Sequence, residues 1–294
     1  MSSRRLFQPF AALLIIFFIR AHAAAAGPPS PAQVGGEVVS DGKYLANNLT
    51  GDAISIVTSP LHIGEAGELL TSPKFYLVLG GAGALWGGSF ALDQTMRSHL
   101  RGMSSSTADL LQNVSYGGVA AATAALYGYG LYAGDARARE YALTAGEGAG
   151  IATLVDIGIK DAFGRLRPKQ DGHDHDAFFH GGQSFVSGDV TPMFALAAGV
   201  SEYFHNDWRV AVPVYSLALL DGFGRMGHDA HWFSDVVGAA LLGAGTTELF
   251  IWLHKRHQEN PNSFRIFPIS PPSVAGPHAA NNLMPAGVAF AYSW

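Results

Sequence analysis

Two segments, "FYLVLGGAGALWGGSFAL" (75–92) and "YGGVAAATAALYGYGLYAG" (116–134), contain no charged residue and are built largely from Gly and Ala. Each is nearly long enough to cross a bilayer. Their small residues also let helix backbones approach closely in a soluble bundle. Such runs must be buried against other helices or in lipid, and either solution gives a bundle. Helical periodicity places further helices at about 108–133, 138–164, 190–205, 208–222 and 232–256. The expected fold class is therefore all-α, a helical bundle with a short C-terminal β segment.

The flanks differ from this pattern. Arg4 and Arg5 precede the apolar run Phe10–Ile19, and Ala-x-Ala choices follow it, which is the layout of a secretory signal peptide over 1–26. Residues 27–44, rich in Pro, Gly and Ala, read as a flexible leader, and 45–257 as the helical domain. A Pro-rich tail over 258–294 ends with Val288, Phe290, Tyr292 and Trp294 alternating, the pattern of a strand. Export to the periplasm is the expected localisation, with an integral membrane protein as the alternative.

Composition narrows the chemistry. Only 14% of the 294 residues are charged and the net charge is -5, so nothing points to a nucleic-acid partner. The chain has no cysteine. That excludes disulfides, a thiolate nucleophile and a cysteine zinc site.

Three polar clusters interrupt the apolar chain. In "KDAFGRLRP" (160–168), Lys160 and Arg167 lie two helical turns apart, and Pro168 discourages continuation of the helix. Basic groups gathered at a helix end can clamp an anion, although a solvated basic end has the same composition. In "SFVSGDVTP" (184–192), Ser187 can cap a helix that begins at about Gly188, and Gly188 allows a ligand to approach the backbone. An ordinary capped helix start reads the same way. In "GRMGHDAHWFSD" (224–235), His231 and Asp235 are four apart, so the carboxylate can orient the imidazole, with Arg225 upstream as an anion ligand. A surface His–Asp contact, or a metal held by His228, His231 and Asp235, remains open at this level. The segment "DGHDHD" (171–176) with His180 reads as a solvated loop that joins the first two clusters.

In this order and spacing the three clusters resemble the type 2 phosphatidic acid phosphatase/vanadium haloperoxidase superfamily. The resemblance implies a helical bundle with one oxyanion pocket and, in the phosphatases, no metal. Lys160, Arg167 and Arg225 would bind phosphate oxygens, and Ser187 and the Gly188 amide would complete the cradle. His231 would attack phosphorus to form a phosphohistidine while Asp235 holds its ring. Three positions depart from the family pattern. In the second motif Val186 stands where Pro-Ser-Gly-His has its proline and Asp189 where it has its histidine, and Gly224 stands where Ser-Arg has its serine. The missing histidine is the one that protonates the leaving oxygen, so Asp189 is the candidate general acid.

The resemblance implies an exported phosphatase acting on phosphomonoesters, with lipid phosphates favoured in a membrane setting. A vanadate-dependent haloperoxidase is one alternative, with vanadate as its cofactor. A catalytically weak phosphate- or lipid-binding envelope protein is the other.

Overall fold

The computed structural model describes residues 29–58, 72–170, 176–259, 265–269 and 287–291. The signal-peptide reading, most of the 171–176 loop and most of the tail lie outside these residues. The helices are α1 (Pro31–Thr58), α2 (Pro73–Ser89), α3 (Asp93–Leu100), α4 (Ser105–Ala133), α5 (Ala136–Phe163), α6 (Val190–Tyr203), α7 (Trp208–Gly227) and α8 (Phe233–Glu259), with a 3₁₀ turn over Phe90–Leu92. Two short strands, β1 (Arg265–Ile269) and β2 (Gly287–Ala291), pair antiparallel.

Local chemistry accounts for the boundaries. The Ser104 hydroxyl accepts from Thr107 N–H at 3.2 Å and starts α4. Gly134, with φ of 67°, ends that helix, and Asp135 at once caps α5 by accepting from Ala138 N–H at 3.1 Å. Only Gly134 and Asp135 therefore separate α4 from α5. Two elements depart from the sequence reading. The stretch expected as a leader is helical from Pro31, so the helical part of the chain begins before residue 45. The polar segment "DQTMRSHL" forms α3, with Asp93 in its first turn and Arg97 and His99 in its last, charges that suit the helix dipole.

Helix α6 packs against α4, α5, α7 and α8, and close backbone approach makes this possible. A Cβ added at Gly243 on α8 would lie 2.0 Å from the Thr191 carbonyl oxygen of α6. One added at Gly199 on α6 would lie 2.3 Å from Ala145 Cβ of α5. Two apolar clusters result. The larger includes Val119, Leu126, Tyr141, Val200, Val214 and Ile251. The second contains Phe185, Val186, Val190, Met226, Val236 and Ala239. Its members are chain neighbours of Ser187, Arg225 and Asp235, so it seats the second and third polar clusters against one another.

The outer faces are unusually apolar. On α2, Leu77 is 76% exposed and Val78 70%, and on α5 Leu154 is 65% exposed. Three segments, Pro73–Leu100, Ala136–Phe163 and Phe233–Lys255, are long and apolar enough to cross a membrane. This surface is compatible with membrane association.

The packing generates a paired test. Gly243→Ala forces a methyl into backbone and should cost about 1–3 kcal/mol, in the range of overpacked cores. Gly146→Ala on α5 has nothing within 4 Å of the new Cβ, so it should be neutral or slightly stabilising through helix propensity. Thermal unfolding midpoints of the two variants check this.

Candidate active site

The site forms where α5 ends, α6 and α8 begin, and α7 ends. Lys160 occupies the last turn of α5, which Gly164 terminates with φ of 50° while donating its N–H to the Lys160 carbonyl at 2.9 Å. The following segment is then clasped by the returning loop. Leu166 N–H donates to Ala177 O at 3.0 Å, and Ser184 N–H donates to Arg165 O at 2.9 Å. This pairing carries Ser187 and Gly188 back beside Lys160. A Cβ at Gly188 would lie 2.9 Å from Asp156 Oδ2 and 3.0 Å from Lys160 Nζ. Only glycine leaves that approach open.

The expected cap at Ser187 is not formed. Helix α6 begins at Val190, and Ser187 contributes its carbonyl instead, accepting from Thr191 N–H at 3.1 Å and Thr191 Oγ1 at 3.0 Å. Its hydroxyl is fully buried and has no hydrogen-bond partner among the described residues. Arg225 Nε is likewise buried without a partner. Buried polar atoms left unmatched by protein are costly, so both atoms have unused capacity to donate to a bound group.

His231 is enclosed at 3% exposure. Its Nδ1 lies 2.8 Å from the Ser184 carbonyl oxygen, which can only accept, so Nδ1 carries the proton. Nε2 is then the lone-pair nitrogen, and it accepts from Arg225 Nη2 at 3.4 Å. Burial, followed by the positive charges of Arg225 and Arg167, pulls the imidazole below its ordinary pKa, and Asp235 opposes that shift. Asp235 does not hold the ring directly. Its Oδ2 is 3.7 Å from Nδ1, beyond hydrogen-bond reach, and accepts from Ser184 Oγ at 2.5 Å and Trp232 N–H at 2.9 Å. Asp235 therefore fixes Ser184, and the Ser184 carbonyl fixes the imidazole.

Behind Asp235 lies a group that motif spacing did not single out. Arg165 is fully buried and ion-paired to Asp93 at 2.7 Å and Asp235 at 2.5 Å, and it also donates to Ser234 Oγ at 2.7 Å. The rings of Phe90, Phe178 and Trp232 surround its guanidinium at 5.0, 4.9 and 5.5 Å.

Two of the three candidate cations are already matched with carboxylates. Lys160 Nζ is ion-paired to Asp156, one turn earlier on α5. Arg225 Nη1 is 3.0 Å from Asp189 Oδ2. The Arg167 guanidinium makes no ion pair among the described residues, and its charge is felt at His231. His228 Nε2 donates to Asp109 Oδ1 at 2.9 Å, so it does not join His231 and Asp235 in a metal-binding set among the described residues. The structure thus brings Lys160, Gly188, Asp189, Arg225, His231 and Asp235 into one pocket. Asp156, four before Lys160, was readable from spacing; Arg165, Asp93 and Ser184 needed the fold.

A family model for the PAP2 superfamily matches residues 141–259, the part of the chain that holds all of these groups except Asp93 and Asp109. Over these residues the chain is similar to the PAP2 superfamily. No curated protein and no solved structure matches the chain. The PAP2 match agrees with the helical bundle and with activity of the phosphatase or haloperoxidase type.

The buried pair system makes a stability prediction. Arg165→Met leaves Asp93 and Asp235 buried without a counter-charge and should cost about 3–5 kcal/mol. Adding Asp93→Asn removes one stranded charge and should recover part of that loss. Unfolding midpoints of the single and double variants measure both effects.

Proposed function

We propose that this protein is an exported, membrane-associated phosphatase that hydrolyses phosphomonoesters through a phosphohistidine on His231. The observation that carries the reading is the tautomer of His231, with a lone pair on Nε2 facing Arg225 and the other nitrogen tied to a carbonyl. In the first step Nε2 attacks phosphorus and the bond to the leaving oxygen breaks. Lys160, Arg167 and Arg225 hold the non-bridging oxygens, with Ser187 Oγ and the Gly188 amide as neutral donors. The catalysis is then chiefly electrostatic, as phosphoryl transfer requires. The ring becomes cationic on phosphorylation, and the Asp235 carboxylate 3.7 Å away offsets that charge. The leaving oxygen takes a proton from Asp189. Water then attacks the phosphohistidine and restores the imidazole.

The exposed apolar faces of α2 and α5 support a lipid phosphate as substrate, because a membrane-associated site meets such esters at the bilayer surface. Vanadate-dependent halide oxidation fits this residue set poorly, since Asp189 stands at the position of the acid–base histidine.

The test joins trapping to kinetics. Wild-type protein quenched during turnover of labelled 4-nitrophenyl phosphate should carry acid-labile, base-stable phosphate, and His231→Ala should carry none and lose about 10³-fold or more in rate. Because burial lowers the His231 pKa, its neutral form persists to more acidic pH than usual. The acid limb of kcat/KM should therefore lie below pH 6.5, the ordinary value for histidine. Full activity in His231→Ala would overturn the assignment.

A further inference from the structure

Two hydrogen bonds join the segment after α5 to the loop between α7 and α8. Trp232 Nε1 donates to Leu166 O at 3.0 Å, and Lys169 N–H donates to Asp229 O at 3.1 Å. Arg167 lies between these cross-links on one segment, and His231 lies between them on the other. Gln170 N–H donates to Arg167 O, and Arg167 N–H donates to Gln170 Oε1, each at 2.9 Å. Arg167 and Lys169 therefore belong to one closed turn, and the Arg167 backbone is fixed. Of the three candidate cations, only Arg167 lacks a carboxylate partner among the described residues, so its place comes from that backbone.

One side chain from outside residues 141–259 touches the loop end of both cross-links. Arg97 of α3 grips the Asp229 carboxylate with two parallel bonds, Nε to Oδ1 and Nη2 to Oδ2, both at 2.7 Å. Its guanidinium also lies 5.6 Å from the centre of the Trp232 ring. Asp229 has a left-handed backbone, with φ of 52°, which aspartate tolerates without enforcing. The fork holds it there. The seat of α3 does not depend on Arg97, because Asp93, one turn earlier, is buried against Arg165 and Ser234, whereas the Arg97–Asp229 pair is partly exposed.

Building on the phosphatase reading, we infer that Arg97 is a positioning residue that, by holding Asp229 and Trp232, sets the Arg167 guanidinium opposite the His231 imidazole. A cation that must meet the phosphoryl oxygens while Nε2 attacks tolerates little drift, and a misplacement of about 1 Å costs about 10²-fold. The charge of Arg167 is felt at His231, where it helps to pull the imidazole pKa down. Arg97 acts through the two loops and does not touch the substrate.

The test breaks the fork and asks whether the effect runs through Arg167. Arg97→Ala should lower kcat on 4-nitrophenyl phosphate by about 10²-fold. The inhibition constant of inorganic phosphate should change less than about 3-fold, because every candidate ligand is still present. Arg97→Lys keeps the charge but cannot fork, and should lose about 10-fold in kcat. In an Arg167→Gln background the same Arg97→Ala change should cost less than about 3-fold, since its target is gone. An equal loss in both backgrounds, or a loss below about 3-fold in the first, would overturn the inference and leave a His231-dependent phosphatase intact.

A second readout needs no turnover. Drift of Arg167 takes positive charge away from the imidazole, so the His231 titration should move up in Arg97→Ala. It is followed by NMR of the intact protein and assigned by its loss in His231→Ala. The rise should vanish in the Arg167→Gln background, where any direct effect of the Arg97 charge would remain. An unmoved titration, or a rise of the same size in both backgrounds, would overturn the inference. If wild type hydrolyses no phosphate ester, the phosphatase reading falls by itself, and the titration alone decides whether Arg97 places Arg167. Should Arg97→Ala fail to fold, Arg97→Lys carries both comparisons.

Discussion

A single buried guanidinium organises this site. Arg165 has no access to solvent, and it is the counter-charge to Asp93 of α3 and Asp235 of α8. Removing a cation from water costs several kcal/mol, which two carboxylates, the Ser234 hydroxyl and three surrounding rings offset together. The geometric result matters more than the net energy. Asp93 accepts from Ser234 N–H at 2.7 Å and so pins the first turn of α8, where Asp235 lies. Asp235 then holds Ser184, and Ser184 holds His231. The orientation of the His231 imidazole is inherited, bond by bond, from a cation with no access to solvent.

The same logic of paired charge extends into the cradle. Lys160 and Arg225 would repel one another across an apolar pocket if both were bare. Asp156 and Asp189 neutralise them in the protein as folded. Any anion that entered would have to compete with these carboxylates for Lys160 and Arg225. Arg167, without an ion pair among the described residues, is the cation most able to make first contact with an anion. The fully buried Ser187 hydroxyl and Arg225 Nε are the donors that gain most from its arrival.

Much of this was legible in the chain. Long uncharged runs of Gly and Ala announced a helical bundle, and the order of Lys160–Arg167, Ser187–Gly188 and Arg225–His231–Asp235 marked segments that the fold brings together. What spacing could not supply was contact between distant segments. Asp93 sits in a short polar helix with no apolar stripe to reveal it, and its partner Arg165 is 72 residues away. Arg97 lies in the same helix, and its partner Asp229 is 132 residues away. The capping role expected of Ser187 failed because its hydroxyl is withheld from α6, whose first turn uses the Ser187 carbonyl instead. The ring-holding role expected of Asp235 failed because the Ser184 carbonyl, 47 residues from His231, is the nearer acceptor.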